Sequence, residues 1–274
     1  MNTTIPNFNS KTDLFEFLKE NKSLLITEKK SATKRCDAIS FVSATFEKGE
    51  ANKAIDNPSE FAGDTIKVES VINTTNIMDS HSDVHLNGIW SQTLKQKKTF
   101  LLLQEHKMTF ENVISDNVKA KAETKTWVEL GFGFEGKTQA LIFNSIVKAD
   151  RNEYMFGQYL KGFVKNHSVG MQYVNIELAV NSEDKAYKEE KLVYDKYIDK
   201  IVNKDAVEAQ GYFWAIKEAK IIEGSAVVMG SNQMTPTLNV SEKEAGDEVT
   251  SIEPLKDTQK NIEQINKYNF NFNK

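Results

Sequence analysis

From Thr65 to Met229 the chain keeps returning to short runs crowded with β-branched and aromatic residues. Thr65–Ile72 (TIKVESVI), Thr99–His106 (TFLLLQEH), Val113–Thr124, Ala140–Val147, Asn166–Tyr173 (NHSVGMQY), Gln210–Ala219 and Ile221–Met229 are all of this kind, and Ala38–Phe46 precedes them. Side chains branched at Cβ, or flat and bulky, fit a pleated surface better than a helix, so each run predicts a strand. Helical patterns are fewer and lie between or outside these runs. The expected fold class is therefore α+β, a β-rich core with helices around it.

The helical patterns have recognisable starts. Ser10 followed by Asp13 forms a capping-box-like opening to KTDLFEFLKEN, with Leu14, Phe15, Phe17 and Leu18 as its apolar stripe. The charged stretch Thr27–Arg35 reads as a linker. A short amphipathic helix is expected after Gly88, another around Tyr154–Phe163, and an exposed charged one over Glu183–Lys204. Residues beyond Ser241 turn acidic and then Asn-rich with little apolar content, as in a flexible tail. The expected organisation is a helical extension and linker over 1–35, a main domain over 36–240, and a disordered tail over 241–274.

Composition removes several function classes. A net charge of -4 over 274 residues provides no basic surface for nucleic acid. The single cysteine, Cys36, cannot form an internal disulfide and suits a reducing compartment. No apolar run is long enough to span a bilayer, and MNTTIPNFNSK lacks the basic start and apolar centre of a secretory signal. The chain is expected in the cytoplasm, without membrane contact, cofactor or specific nucleic acid.

Within Asn166–Tyr173, alternation puts Ser168 and Gly170 on one face and Val169 and Met171 on the other. A hydroxyl beside an absent side chain suits a nucleophile that needs room for a substrate backbone. His106 ends an apolar run, where the core can hold it facing a cleft, and its ordinary pKa makes it a natural proton acceptor. Serine-dependent acyl transfer needs such a base, plus a third group to fix the imidazole tautomer. Glu223, in KEAKIIEGSAVV, is the first choice for that group, with Glu218 as an alternative. His167 is expected on the opposite face of its strand. Amides near Gly170 or Gly224 are candidates for stabilising an oxyanion. His81, Asp83 and His85 alternate in a loop and raise a rival, a metal-dependent hydrolase.

Four segments in order resemble the prohead proteases of tailed bacteriophages, whose fold is like that of herpesvirus assemblin. They are MDSHSDVHLNGIW, LLLQEHK, HSVGM and AIKEAKIIEGSAVVMGSNQMTPT, spread over about Asp37–Val240. The chain departs from the family pattern at Ser82, Asn87, Ile89-Trp90, Lys107 and Gly230-Ser231. The resemblance implies a barrel-like core and a Ser168 nucleophile with His106 as base; for the third residue Glu223 is the first choice, with Glu218 or, as in the Ser-His-His arrangement of assemblins, a histidine as alternatives. It also implies a homo-oligomer inside the assembling prohead in the host cytoplasm. Its substrates would be the scaffolding protein, the major capsid protein and itself, with autocleavage in Thr27–Arg35 or beyond Ser241. The alternative is a non-enzymatic head protein that keeps the fold.

Overall fold

The computed structural model describes residues 5–34, 55, 57–59 and 61–242. Cys36, the expected strand at 38–46 and most of the expected tail lie outside them. In chain order the elements are α1 (Lys11–Glu20), α2 (Lys22–Ser31), β1 (Thr33–Lys34), β2 (Thr65–Thr74), β3 (Asp83–His85), α3 (Ser91–Gln96), β4 (Leu102–Gln104), β5 (Val113–Ser115), β6 (Val118–Thr126) and β7 (Lys137–Lys148). Then follow α4 (Glu153–Leu160), β8 (Asn166–Val180), α5 (Lys188–Tyr197), α6 (Lys204–Gln210), β9 (Tyr212–Val227) and β10 (Thr237–Glu242). None of the described helices is long and apolar enough to cross a membrane.

The strands form two sheets. In the first, β9 is the spine. Antiparallel β8 runs along one side of it, with β1 beyond. On the other side β3 pairs in parallel with its first half and β4 with its second half, and β5 lies beyond β4. The second sheet has the order β10-β2-β7-β6. The sheets pack face to face, since a Cβ placed on Gly224 of β9 would sit 2.6 Å from Phe143 of β7 and 3.1 Å from Ile72 of β2.

The expected barrel is not closed. At one corner the sheets touch through an isolated bridge between Asn166 and Pro236, and at another through a hydrogen bond from Ser115 Oγ to the Ile146 carbonyl. The first corner is held by the His167 amide donating to the Thr235 carbonyl at 3.1 Å, while the Pro236 carbonyl turns to the Val71 amide of β2 at 3.0 Å.

Several elements differ from the sequence expectation. α2 occupies part of the expected linker, because Glu28, Lys29 and Lys30 are good helix formers and Leu25 gives the helix a buried anchor. Phe15, Leu18 and Leu25 join the main core, so the two N-terminal helices pack on the sheets. The helix start at Ser10 is as expected, with its Oγ accepting from the Asp13 amide at 3.1 Å. The Glu183–Lys204 pattern is interrupted after Tyr197, and the last two expected strands are one continuous β9. Ser241 and Glu242 extend β10 into the region expected as tail.

Candidate active site

Of the expected Thr99–His106 strand, Leu102–Gln104 is paired as β4. The chain then turns tightly, with the Lys107 amide donating to the Gln104 carbonyl at 3.0 Å. Glu105 and His106 occupy the centre of this turn at φ values of 50° and 56°. Two successive non-glycine residues in the left-handed region define a type I′ turn and hold strain that the surroundings must offset. Because β4 pairs with Leu102 opposite Gly224 and Gln104 opposite Ala226, the turn starts beside the end of β9 and swings His106 back over it.

There the imidazole meets Glu223. His106 Nδ1 lies 2.6 Å from Glu223 Oε1, with the two side chains 6% and 2% exposed. The other carboxylate oxygen accepts from Ser225 Oγ at 2.7 Å, and Ser225 Oγ itself accepts from the His106 backbone N–H at 3.1 Å. Since the carboxylate is the acceptor in this group, the ring proton belongs on Nδ1 and the lone pair on Nε2. Nε2 is buried and has no hydrogen-bond partner. An orphaned acceptor of that kind is where an incoming hydroxyl proton would be received.

The sheet register brings Ser168 to the same face. Ser168 pairs with Ser225 and Gly170 with Glu223. Gly224 between them faces the second sheet, so Glu223 and Ser225 point outward, as do Ser168 and Gly170. The glycine is required here: a Cβ on Gly170 would lie 1.9 Å from Glu223 Oε1. Ser168 is 7% exposed, and among the described residues no hydrogen bond joins its Oγ to the imidazole. A backbone turn passes against it, since a Cβ on Gly230 would be 3.8 Å from Ser168 Cβ and 3.1 Å from the His167 carbonyl oxygen.

Two positions outside the expected set shape the group. Ser225, two residues past Glu223 and therefore on its face, was legible only as part of the Glu-Gly-Ser run. Lys97, just past α3, sits where the β8–β9 register slips by one residue between Glu223 and Ile221. Its Nζ donates to the carbonyls of Ile222 at 2.7 Å and Ile221 at 3.3 Å. Burial lowers the Lys97 pKa, and the nearby Glu223 pulls it back up. No local sequence signal marks it, because its partners lie on a strand more than a hundred residues away.

The remaining sequence candidates make other contacts. Glu218 pairs with Asn175, farther along β9 from the imidazole. His167 points to the other face, with Nε2 2.9 Å from Tyr159 Oη and Nδ1 3.2 Å from the Thr235 carbonyl. Full burial lowers its pKa to about 4. The Gly224 amide is committed to the Leu101 carbonyl at 3.0 Å, which removes it as an oxyanion donor.

The loop expected around His81–His85 contains β3 instead, and its polar residues belong to a separate buried chain. Lys29 bonds Asp83 Oδ1, and Tyr173 Oη donates to Asp83 Oδ2 at 2.9 Å. Tyr173 Oη is also 2.9 Å from His85 Nε2, and His85 Nδ1 lies 3.0 Å from Asn73 Nδ2. The His81 side chain lies 4.0 Å from Asp79, its carbonyl accepts from Lys29 Nζ at 3.4 Å, and it lines a small cavity with His85, Tyr173 and Ser168. Among the described residues no three His, Cys, Asp or Glu side chains gather in a way that would hold a metal ion.

The outer face of the first sheet thus carries an imidazole oriented by the Glu223 carboxylate and, on the neighbouring strand, Ser168 in register with Ser225, on an open two-sheet α+β fold. No family model, curated protein or solved structure matches the chain.

Proposed function

We propose that this chain is a serine endopeptidase that acts in capsid maturation, in line with the resemblance of its motifs to phage prohead proteases. The observation that carries the reading is the 2.6 Å contact between His106 Nδ1 and Glu223, which leaves Nε2 unpartnered on the face of Ser168. A serine hydroxyl stays protonated at neutral pH, and a base that removes its proton as the new bond forms contributes about 10²–10⁴ in rate. In this mechanism Ser168 Oγ attacks the scissile carbonyl while His106 Nε2 takes its proton. Glu223 holds the resulting imidazolium, and Nε2 then passes the proton to the departing amine. Water, deprotonated by the same nitrogen, releases the acyl group and restores Ser168. The Gly230–Asn232 turn supplies the backbone beside the serine from which oxyanion donors would come.

The proposed substrates are scaffolding protein, the leading segment of the major capsid protein and the chain itself, within a prohead in the host cytoplasm and with the protease as a homo-oligomer. Co-expression with the scaffold and capsid proteins tests this. Processing by the wild-type chain and none by Ser168→Ala supports it; unchanged trimming by Ser168→Ala refutes it.

A second reading, a head protein that keeps the fold without the chemistry, draws on the absence of a bond between Ser168 Oγ and the imidazole among the described residues. Mass spectrometry separates the two, since only the enzyme gives a self-cleavage that Ser168→Ala removes.

A further inference from the structure

A cleft of about 200 Å³ opens beside the candidate site, between α4 and the ends of β8 and β9. Asn166 and Val227 line it, and they pair with each other two positions before Ser168 and two after Ser225. Strand alternation therefore puts both on the face that carries Ser168, about 7 Å along from it. Glu105, the residue before His106, lines the cleft from the turn. Its other wall includes Tyr154 and Phe163, with Val228 at the rim. These three apolar side chains are 64%, 63% and 83% exposed, an unusual concentration for a face with no partner among the described residues. Two charged residues line the cleft, Glu105, paired with Lys107 at 2.7 Å, and exposed Lys165, against an otherwise polar-neutral or apolar lining.

We propose that this cleft receives one bulky apolar side chain, aromatic or long aliphatic, of an extended peptide whose scissile bond lies at Ser168. The proposal rests on the protease reading. A peptide laid over this face places a side chain about every 7 Å on one side, so a residue one or two positions from the scissile bond reaches the cleft. Selection there is by apolar area, and burying one such side chain corresponds to about tenfold or more in binding.

The test uses full-length Ser168→Ala protein and fluorescein-labelled Gly-Ser peptides carrying a single Phe or Leu, compared with the same peptides carrying Gly or Lys. The Phe and Leu peptides are expected to bind at least about tenfold more tightly, by fluorescence anisotropy. The ratio should fall close to one in Ser168→Ala/Val228→Asp, a change at an exposed position that leaves the fold intact. Equal affinities, or a preference that Val228→Asp leaves untouched, would overturn the proposal. Wild-type protein given the same peptides separates the two levels. Cleavage without preference for Phe or Leu removes the cleft assignment and keeps the protease. Selective, Val228-dependent binding without cleavage keeps the apolar side-chain site and removes the protease.

Discussion

His106 Nδ1 and Glu223 Oε1 stand 2.6 Å apart, both side chains buried, where a strained turn crosses the outer face of the first sheet. The contact fixes which imidazole nitrogen is free. Glu223→Gln keeps the volume but can present an N–H to the ring, which favours the wrong tautomer. Its kcat for peptide hydrolysis is expected to fall by about 10³–10⁴ with KM little changed, in steady-state kinetics.

Two glycines one residue out of register across β8 and β9 give opposite outcomes. Gly170→Ala drives a methyl into the Glu223 carboxylate and is expected to remove activity, because the carboxylate must leave the imidazole. Gly224→Ala drives one into Phe143 and Ile72 between the sheets. That overpacking is expected to cost about 1–3 kcal/mol in urea unfolding.

Burial holds His167 neutral, with a pKa of about 4 against its ordinary 6.5. The unfolded chain therefore takes up the proton first as pH falls. The stabilisation is complete above pH 6.5 and is lost on going down to about 4, by about 3 kcal/mol in total. Denaturation curves across this range should show a slope in stability that is shallower by one proton in His167→Gln.

The Lys29–Asp83 pair ties α2 to β3, with Asp83 fully buried. Lys29→Met leaves a carboxylate inside the protein without its cation and is expected to destabilise by about 3–5 kcal/mol. Adding Asp83→Asn should recover most of the loss, measured by the same unfolding experiment.

Ser225 joins the two halves of the group, accepting from the His106 amide and donating to Glu223. Ser225→Ala is expected to lower kcat by about tenfold to a hundredfold through loss of positioning, with KM nearly unchanged.

Much of this arrangement could be read from local patterns. Alternation placed Ser168 with Gly170 and sent His167 to the other face, and the Ser10 cap marked the start of α1. What escaped depends on distant partners. The run TFLLLQEH has the composition of a buried strand, and nothing in it signals a type I′ turn at Glu105 and His106. That geometry holds because Ser225, on β9, captures the His106 amide. Asp83 and His85 read as loop residues because they are polar, but Tyr173, Asn73 and Lys29 satisfy them inside the fold. The open barrel depends on how little bonding the two sheets exchange at their corners, which no local run of residues shows. Lys97 carries no pattern at all, since the bulge it bonds exists only after β8 and β9 have paired.

Covalent labelling with a fluorophosphonate probe, read by intact and peptide mass spectrometry, addresses the central claim most directly. A single adduct on Ser168, lost in His106→Ala and strongly slowed in Glu223→Gln, is the expected result. An unlabelled Ser168 in folded wild-type protein, or labelling that persists unchanged without the imidazole, would contradict it.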